Sequence, residues 1–123
     1  MTRLRVEAEG GTFLLELRDC ATTRALVDAL PFEASAQTWG EELYFYTPVS
    51  ASLEPGAAQV VDPGTVCFWT EGDAIALPWG RTPISEDGRP KLANPCSVLG
   101  KIVGDPRELA KVCPGSLVRV TAA

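Results

Sequence analysis

The 123-residue chain contains no histidine. That absence removes Ser-His-Asp and Cys-His nucleophilic sites, and it removes histidine as a metal ligand or as an acid/base group near neutral pH. Any proton transfer would fall to Glu, Asp, Tyr, Lys or Cys. Positive charge is scarce too: 11 Lys and Arg face 16 Asp and Glu, a formal net charge of −5. The lysines number only three and the arginines are scattered. Phosphate recognition needs clustered Lys and Arg, so no nucleic-acid partner is expected. No P-loop and no GxGxxG is present, so no phosphate-bearing cofactor is expected.

No apolar run is long enough to cross a bilayer, and the start Met1-Thr2-Arg3-Leu4-Arg5-Val6 lacks the apolar segment of a signal peptide. The expectation is a cytoplasmic protein without a membrane partner. Cys20, Cys67, Cys96 and Cys113 form no CxxC pair and no zinc framework. Free buried thiols are the expected state in a reducing compartment, with one disulfide left open. No metal site is expected.

What is present is apolar enough to fold. Hydrophobic residues make up 46% of the chain, which suits one globular domain over residues 1–123. Leu4, Val6 and Ala8 alternate with Arg5, Glu7 and Glu9, the period-two pattern of a half-buried strand. Gly10-Gly11 is a hairpin signal, and Phe13, Leu15 and Leu17 continue on one face. From Cys20 the period changes: Leu26, Ala29 and Leu30 line one side of a helix over about 21–30, capped by Asp19 or Thr22 and ended by Pro31.

Residues 33–38 read as a weakly patterned strand leading into Leu43-Tyr44-Phe45-Tyr46, and residues 50–58 as a loop. Further strands are expected at Val60-Val61, at Val66-Cys67-Phe68-Trp69, and where Ile75, Leu77 and Trp79 share a face. Between the first two, Asp62-Pro63-Gly64 forms a turn. Gly80 to Pro95 reads as the longest irregular segment, and Val98 to Val103 as a strand interrupted by Gly100. Asp105-Pro106-Arg107-Glu108 starts a short helix over about 106–111, with Asp as cap and Glu able to reach back. Leu117, Val118 and Val120 form a last strand. Many short strands with regular turns point to a mainly β, closed barrel, which leaves no exposed edge.

Four stretches carry a family likeness. They are Thr38-Trp39-Gly40-Glu41-Glu42-Leu43-Tyr44-Phe45, Val60-Val61-Asp62-Pro63-Gly64-Thr65-Val66-Cys67-Phe68-Trp69, Gly80-Arg81-Thr82-Pro83 and Val98-Leu99-Gly100-Lys101-Ile102. Together they resemble the small prokaryotic cyclophilin-like proteins of uncharacterised function. The resemblance implies a cyclophilin-type closed β-barrel with helices plugging its ends. Cyclophilins are prolyl isomerases that use an arginine beside a proline pocket containing Phe, Gln, Trp and His. This chain has no Phe-His-Arg segment and no histidine, so no isomerase residue carries over position by position and prolyl isomerisation is not expected.

The candidate site residues come from the Trp39 to Tyr46 tract and the later strand ends. Neighbouring residues in a strand point to opposite faces, so Glu41 and Glu42 are not a proton-sharing dyad. Glu41 has the parity of Trp39, Leu43 and Phe45; Glu42 has that of Tyr44 and Tyr46. Either both are strand-end charges, one paired with an arginine, or one meets a ligand. Trp39, Trp69 and Trp79 sit near strand ends and read either as core filler or, if the ends converge, as a pocket wall.

Arg81 offers a clamp for a carboxylate or phosphate, or a partner for Glu41 or Glu42. Asn94 can donate and accept, or close a turn before Pro95. Tyr44 brings a phenol, or the semi-buried face of a sheet. Cys67 and Cys96 have no flanking positive charge and read as structural. Three functions follow from these residues: a barrel binding a small molecule or peptide, a prolyl isomerase by fold analogy alone, and a protein-interaction subunit. A homodimer is open.

Overall fold

A computed structural model describes residues 1–123. Ten strands, one α-helix and one 3-10 helix follow each other in the order β1 (Thr2–Ala8), β2 (Gly11–Leu17), α1 (Ala21–Ala29), β3 (Phe32–Ser35), β4 (Gln37–Thr38), β5 (Glu42–Tyr46), β6 (Ala58–Val60), β7 (Thr65–Trp69), β8 (Ala74–Pro78), β9 (Lys91–Val103), the 3-10 turn Pro106–Lys111 and β10 (Leu117–Ala122). The strands hydrogen-bond in the order β3-β10-β1-β2-β9-β7-β8-β5-β4, and β6 joins β9 off this path. Every pairing is antiparallel.

The two ends of that path are consecutive in the chain. β3 pairs with β10 and β4 with β5, so the run from Phe32 to Thr38 changes partner at Ala36 and brings the sheet nearly to a closed barrel. The Ala36 N–H donates to the Ser116 carbonyl at 2.9 Å and its carbonyl accepts from Gly115 at 2.8 Å, which holds the change-over in place. The mainly β barrel expected from the strand spacing is the fold observed.

The interior is filled by the alternate residues of each strand. Leu4 and Val6, Leu15 and Leu17, Leu43 and Phe45, Val66 and Phe68, Ile75 and Leu77, and Val118 and Val120 form one core, plugged by Leu26 of α1 and Leu109 of the 3-10 turn. Period-two alternation places each pair inside. On β9 the alternation breaks. Val66 faces Gly100 while Cys67 faces Val98, so Leu99 is an extra residue between them. This bulge lets both Leu99 and Ile102 face the core, and it turns Cys96 and Val98 to the outer surface.

Several local expectations are corrected. β9 begins at Lys91, so residues 91–95 of the supposed irregular segment are strand, paired with β6 through Val60 and Ala58. Cys20 is the N-cap of α1 and makes no side-chain cap bond; neither Asp19 nor Thr22 caps it. The Glu54 carboxylate, from the loop between β5 and β6, instead accepts from the Thr22 N–H at 2.9 Å and its hydroxyl at 2.7 Å. Asp105 caps the 3-10 turn through the Arg107 N–H as expected, but Glu108 pairs with Lys111 rather than reaching back. The first hairpin reverses at Glu9-Gly10, with Gly11 already paired to Ala8.

Candidate functional site

The outer face of β5, β8, β7 and β9 carries a second, smaller hydrophobic cluster. Val61, Cys67, Ala76, Leu92 and Cys96 are buried there, with Tyr44, Trp69, Ala58 and Val98 packed against them. Register explains the grouping: Tyr44 of β5 faces Ala76 of β8, which faces Cys67 of β7. The small Ala76 side chain between larger neighbours leaves room above the sheet. Leu92 and Ala93 at the start of β9 border that room, and the Gln59 Nε2 of β6 donates to the Leu92 carbonyl at 2.9 Å.

The space encloses about 260 Å³. Trp39, Tyr44, Trp69 and Ala93 form its rim, and Glu42, Ala76, Leu92 and Cys96 its floor; seven of these eight residues are hydrophobic. Glu42 is the exception, and it is only 6% exposed. Its Oε1 is fully buried and has no hydrogen-bond partner. No ion pair of the chain includes it. Burial without a partner pushes the Glu42 carboxyl up from 4.5 to about 7. A carboxyl that changes charge near neutral pH inside a concave apolar hollow makes this cavity the candidate site.

The surrounding groups are neutral or anionic. Burial pushes the Tyr44 phenol up, with Tyr46 and Glu42 adding to it. Burial, then Glu42 and Glu71, push the Cys96 thiol to about 12, and burial holds Cys67 well above its ordinary value. Both thiols are therefore protonated. All four cysteines are free; Cys20, Cys67 and Cys96 are buried, while Cys113 is exposed, against the expectation that it is buried.

Trp69 is held from two sides. Its Nε1 donates to Asn94 Oδ1 at 3.1 Å, and the Asn94 carbonyl accepts from the Cys96 thiol at 3.2 Å. The other side of the indole lies over Gly72, where a Cβ would stand 2.3 Å from Cε3 and Cζ3. Only a residue without a side chain fits beneath the ring. Tyr44 meets Tyr46 edge to face at 5.9 Å, two residues along the same outer face.

Trp39 reaches the site because it lies opposite Glu42, one step beyond the Thr38–Leu43 pair. The parity rule groups it with Leu43 and Phe45, which are interior. In the structure Trp39, Gly40 and Glu41 form the β4–β5 turn, closed by the Trp39 N–H donating to the Glu42 carbonyl at 3.0 Å. Gly40 takes φ 59°, and a Cβ there would sit 2.9 Å from the Arg81 carbonyl oxygen. Glycine is required on both counts. The turn breaks the parity between Trp39 and Leu43, so the indole shares the outer face with Gln37 and Glu42.

Of the eight residues singled out, Trp39, Glu42, Tyr44 and Trp69 line the cavity, and Asn94 orients Trp69. Glu41, Trp79 and Arg81 lie outside it. Glu41 is exposed; its carboxylate accepts from the Arg81 backbone N–H at 3.0 Å, and its own N–H donates to the Arg81 carbonyl at 2.8 Å. The expected ion pair is thus a backbone clasp, and the exposed Arg81 guanidinium pairs with neither glutamate. Trp79 follows Ile75 and Leu77 on the inward face and packs against the main core. Ala76, Leu92, Ala93 and Cys96 were not expected at a site. The one sequence signal for them is the pair of alanines at 74 and 76, small residues at alternate, outward positions of a strand.

The comparisons with known proteins agree with this architecture. No curated protein matches the chain. Among solved structures, the solution structure of the hypothetical protein AF2241 from Archaeoglobus fulgidus is similar, with 37% sequence identity and a TM-score of 0.84. The match covers 99% of this chain and 95% of that one. A family model described as cyclophilin-like matches residues 2–121. The barrel, its length and the sequence match together show that the chain belongs to the cyclophilin-like family.

Proposed function

We propose that the chain is a binding protein that takes a small molecule, or one side chain of a peptide, in the cavity between Trp39, Tyr44, Trp69 and Glu42. The observation that carries this reading is the Glu42 Oε1: a buried acceptor without a partner, in an aromatic hollow. An unpartnered buried polar atom costs about 1–3 kcal/mol, more when charged. A ligand donating to it would recover that cost. The volume is slightly below the range of drug-sized pockets, which suits a compact ligand. A cytoplasmic, prokaryotic setting belongs to the same proposal: free thiols suit a reducing compartment, and the structural relative comes from an archaeon.

A thermal-shift screen of a metabolite library tests it, because a ligand of the native state raises the melting temperature. Hits should lose their shift in Ala76→Trp, which fills the hollow. If no compound shifts the wild type, or if hits shift Ala76→Trp equally, the cavity is not a binding site.

A further inference from the structure

We infer that the cavity selects a protonated alkylamine, with an N–H on the Glu42 carboxylate and the alkyl groups against Trp39, Tyr44 and Trp69. This rests on the reading of the cavity as a binding site and specifies its ligand class. Three aromatic side chains and one carboxylate are among the eight lining residues, the combination that attracts a cation both by ring quadrupoles and by charge. No Lys or Arg lines the space, so the protein itself supplies no counter-ion for Glu42.

The charged and titratable neighbours on every packed element point the same way. Tyr44 lies on β5, Cys67 on β7 and Cys96 on β9, with Glu71 beyond Cys96; none of them carries positive charge. A carboxylate or phosphate ligand would meet like charge wherever Glu42 is ionised and finds no cationic side chain in the lining. A neutral alcohol or amide could satisfy Oε1 but would not compensate the glutamate's charge once it ionises above about pH 7. A quaternary ammonium supplies charge but no N–H. An amine with one to three alkyl groups supplies both, and its carbon substituents suit a lining that is otherwise apolar. The 260 Å³ available is close to the lower end of ordinary ligand cavities, which suits such a head group and a short chain. The chain's net charge of −5 favours approach of a cation.

Isothermal titration of the full chain with matched probes tests the inference. N,N-dimethylbenzylamine should bind about tenfold or more tightly than neutral 1-phenyl-2-propanol, and phenylacetate should not bind. Benzyltrimethylammonium, without an N–H, should fall below the dimethyl amine. Glu42→Gln should weaken the amine about tenfold or more, and more than it weakens the alcohol. Should that variant fold poorly, wild-type protein gives the same answer by pH. Affinity for the amine should rise about tenfold per pH unit below about 7 as Glu42 ionises, and flatten above it.

N-acetyl-dimethyllysine, free and within a short peptide, tells a free amine from a peptide side chain, and binding of either supports the head-group assignment. Equal binding of amine and alcohol, or pH-independent amine binding, overturns the amine class while the cavity remains a binding site. Amine, alcohol and quaternary probes that all fail to bind, alongside a failed metabolite screen, would overturn the underlying reading instead.

Discussion

The Trp69 indole nitrogen donates to Asn94 Oδ1 at 3.1 Å, across 25 residues of sequence, and so ties the end of β7 to the start of β9. That bond decides the shape of the cavity, because the ring it fixes is one of the walls. Its partner on the other side is the bare backbone of Gly72.

Gly72→Ala should therefore displace Trp69. The new methyl group would sit 2.3 Å from the ring, so ring or turn must move. Overpacking of this kind costs about 1–3 kcal/mol. Denaturant unfolding should show that loss, and the tryptophan emission of the folded protein should change. Unchanged stability and emission would contradict the contact.

Glu42 makes stability depend on pH with a definite sign. Its carboxyl rises from 4.5 in the unfolded chain to about 7 in the fold. The stabilisation is complete below about pH 4.5 and is lost as the pH rises through about 7. The full change corresponds to about 3 kcal/mol. Replacing the ionisable group by Glu42→Gln should leave stability near that of the wild type at pH 4.5 and raise it at pH 8, by up to that amount. Urea titrations at the two pH values measure the difference. A variant with equal effects at both would show that Glu42 is not held as described.

Adjacent aromatics on β5 should respond in opposite ways to truncation. Phe45 is fully buried in the barrel core, whereas Tyr46 is 50% exposed on the outer face. Phe45→Ala should cost about 3–5 kcal/mol. Tyr46→Ala, which loses mainly its edge-to-face contact with Tyr44, should cost about 1 kcal/mol or less. Equal costs would mean that the inward and outward faces have been assigned wrongly.

The thiols should separate by accessibility. Cys113 is exposed, while Cys67 and Cys96 are buried with thiol groups pushed upward by burial. Alkylation of native protein at pH 8, followed by peptide mass mapping, should modify Cys113 first and leave Cys67 and Cys96 unmodified. Rapid labelling of Cys96 would show that the cavity floor opens readily.

Much of the barrel is readable from the amino-acid order because its determinants are local. The alternation of Leu4 and Val6, Leu15 and Leu17, or Ile75 and Leu77 selects an inward face for each strand, and Pro31, Pro63 and Gly64 mark where elements stop. The same alternation separates Glu41 from Glu42 and assigns Trp79 to the face of Ile75 and Leu77.

The site was decided elsewhere. Trp39 lines the cavity because a turn built on Gly40 folds it back opposite Glu42, and that turn is held by the Arg81 backbone some forty residues away. Cys96 faces outward because one extra residue, Leu99, interrupts the pairing of β9 with β7. Leu92 and Ala93 join the site because Lys91 to Pro95 pair as strand rather than loop. Each of these depends on a partner distant in sequence, which local period and turn chemistry do not encode. The sequence by itself determined the barrel and the absence of histidine chemistry. Long-range pairing alone determined that one glutamate, Glu42, lies buried without a counter-ion among three aromatic rings.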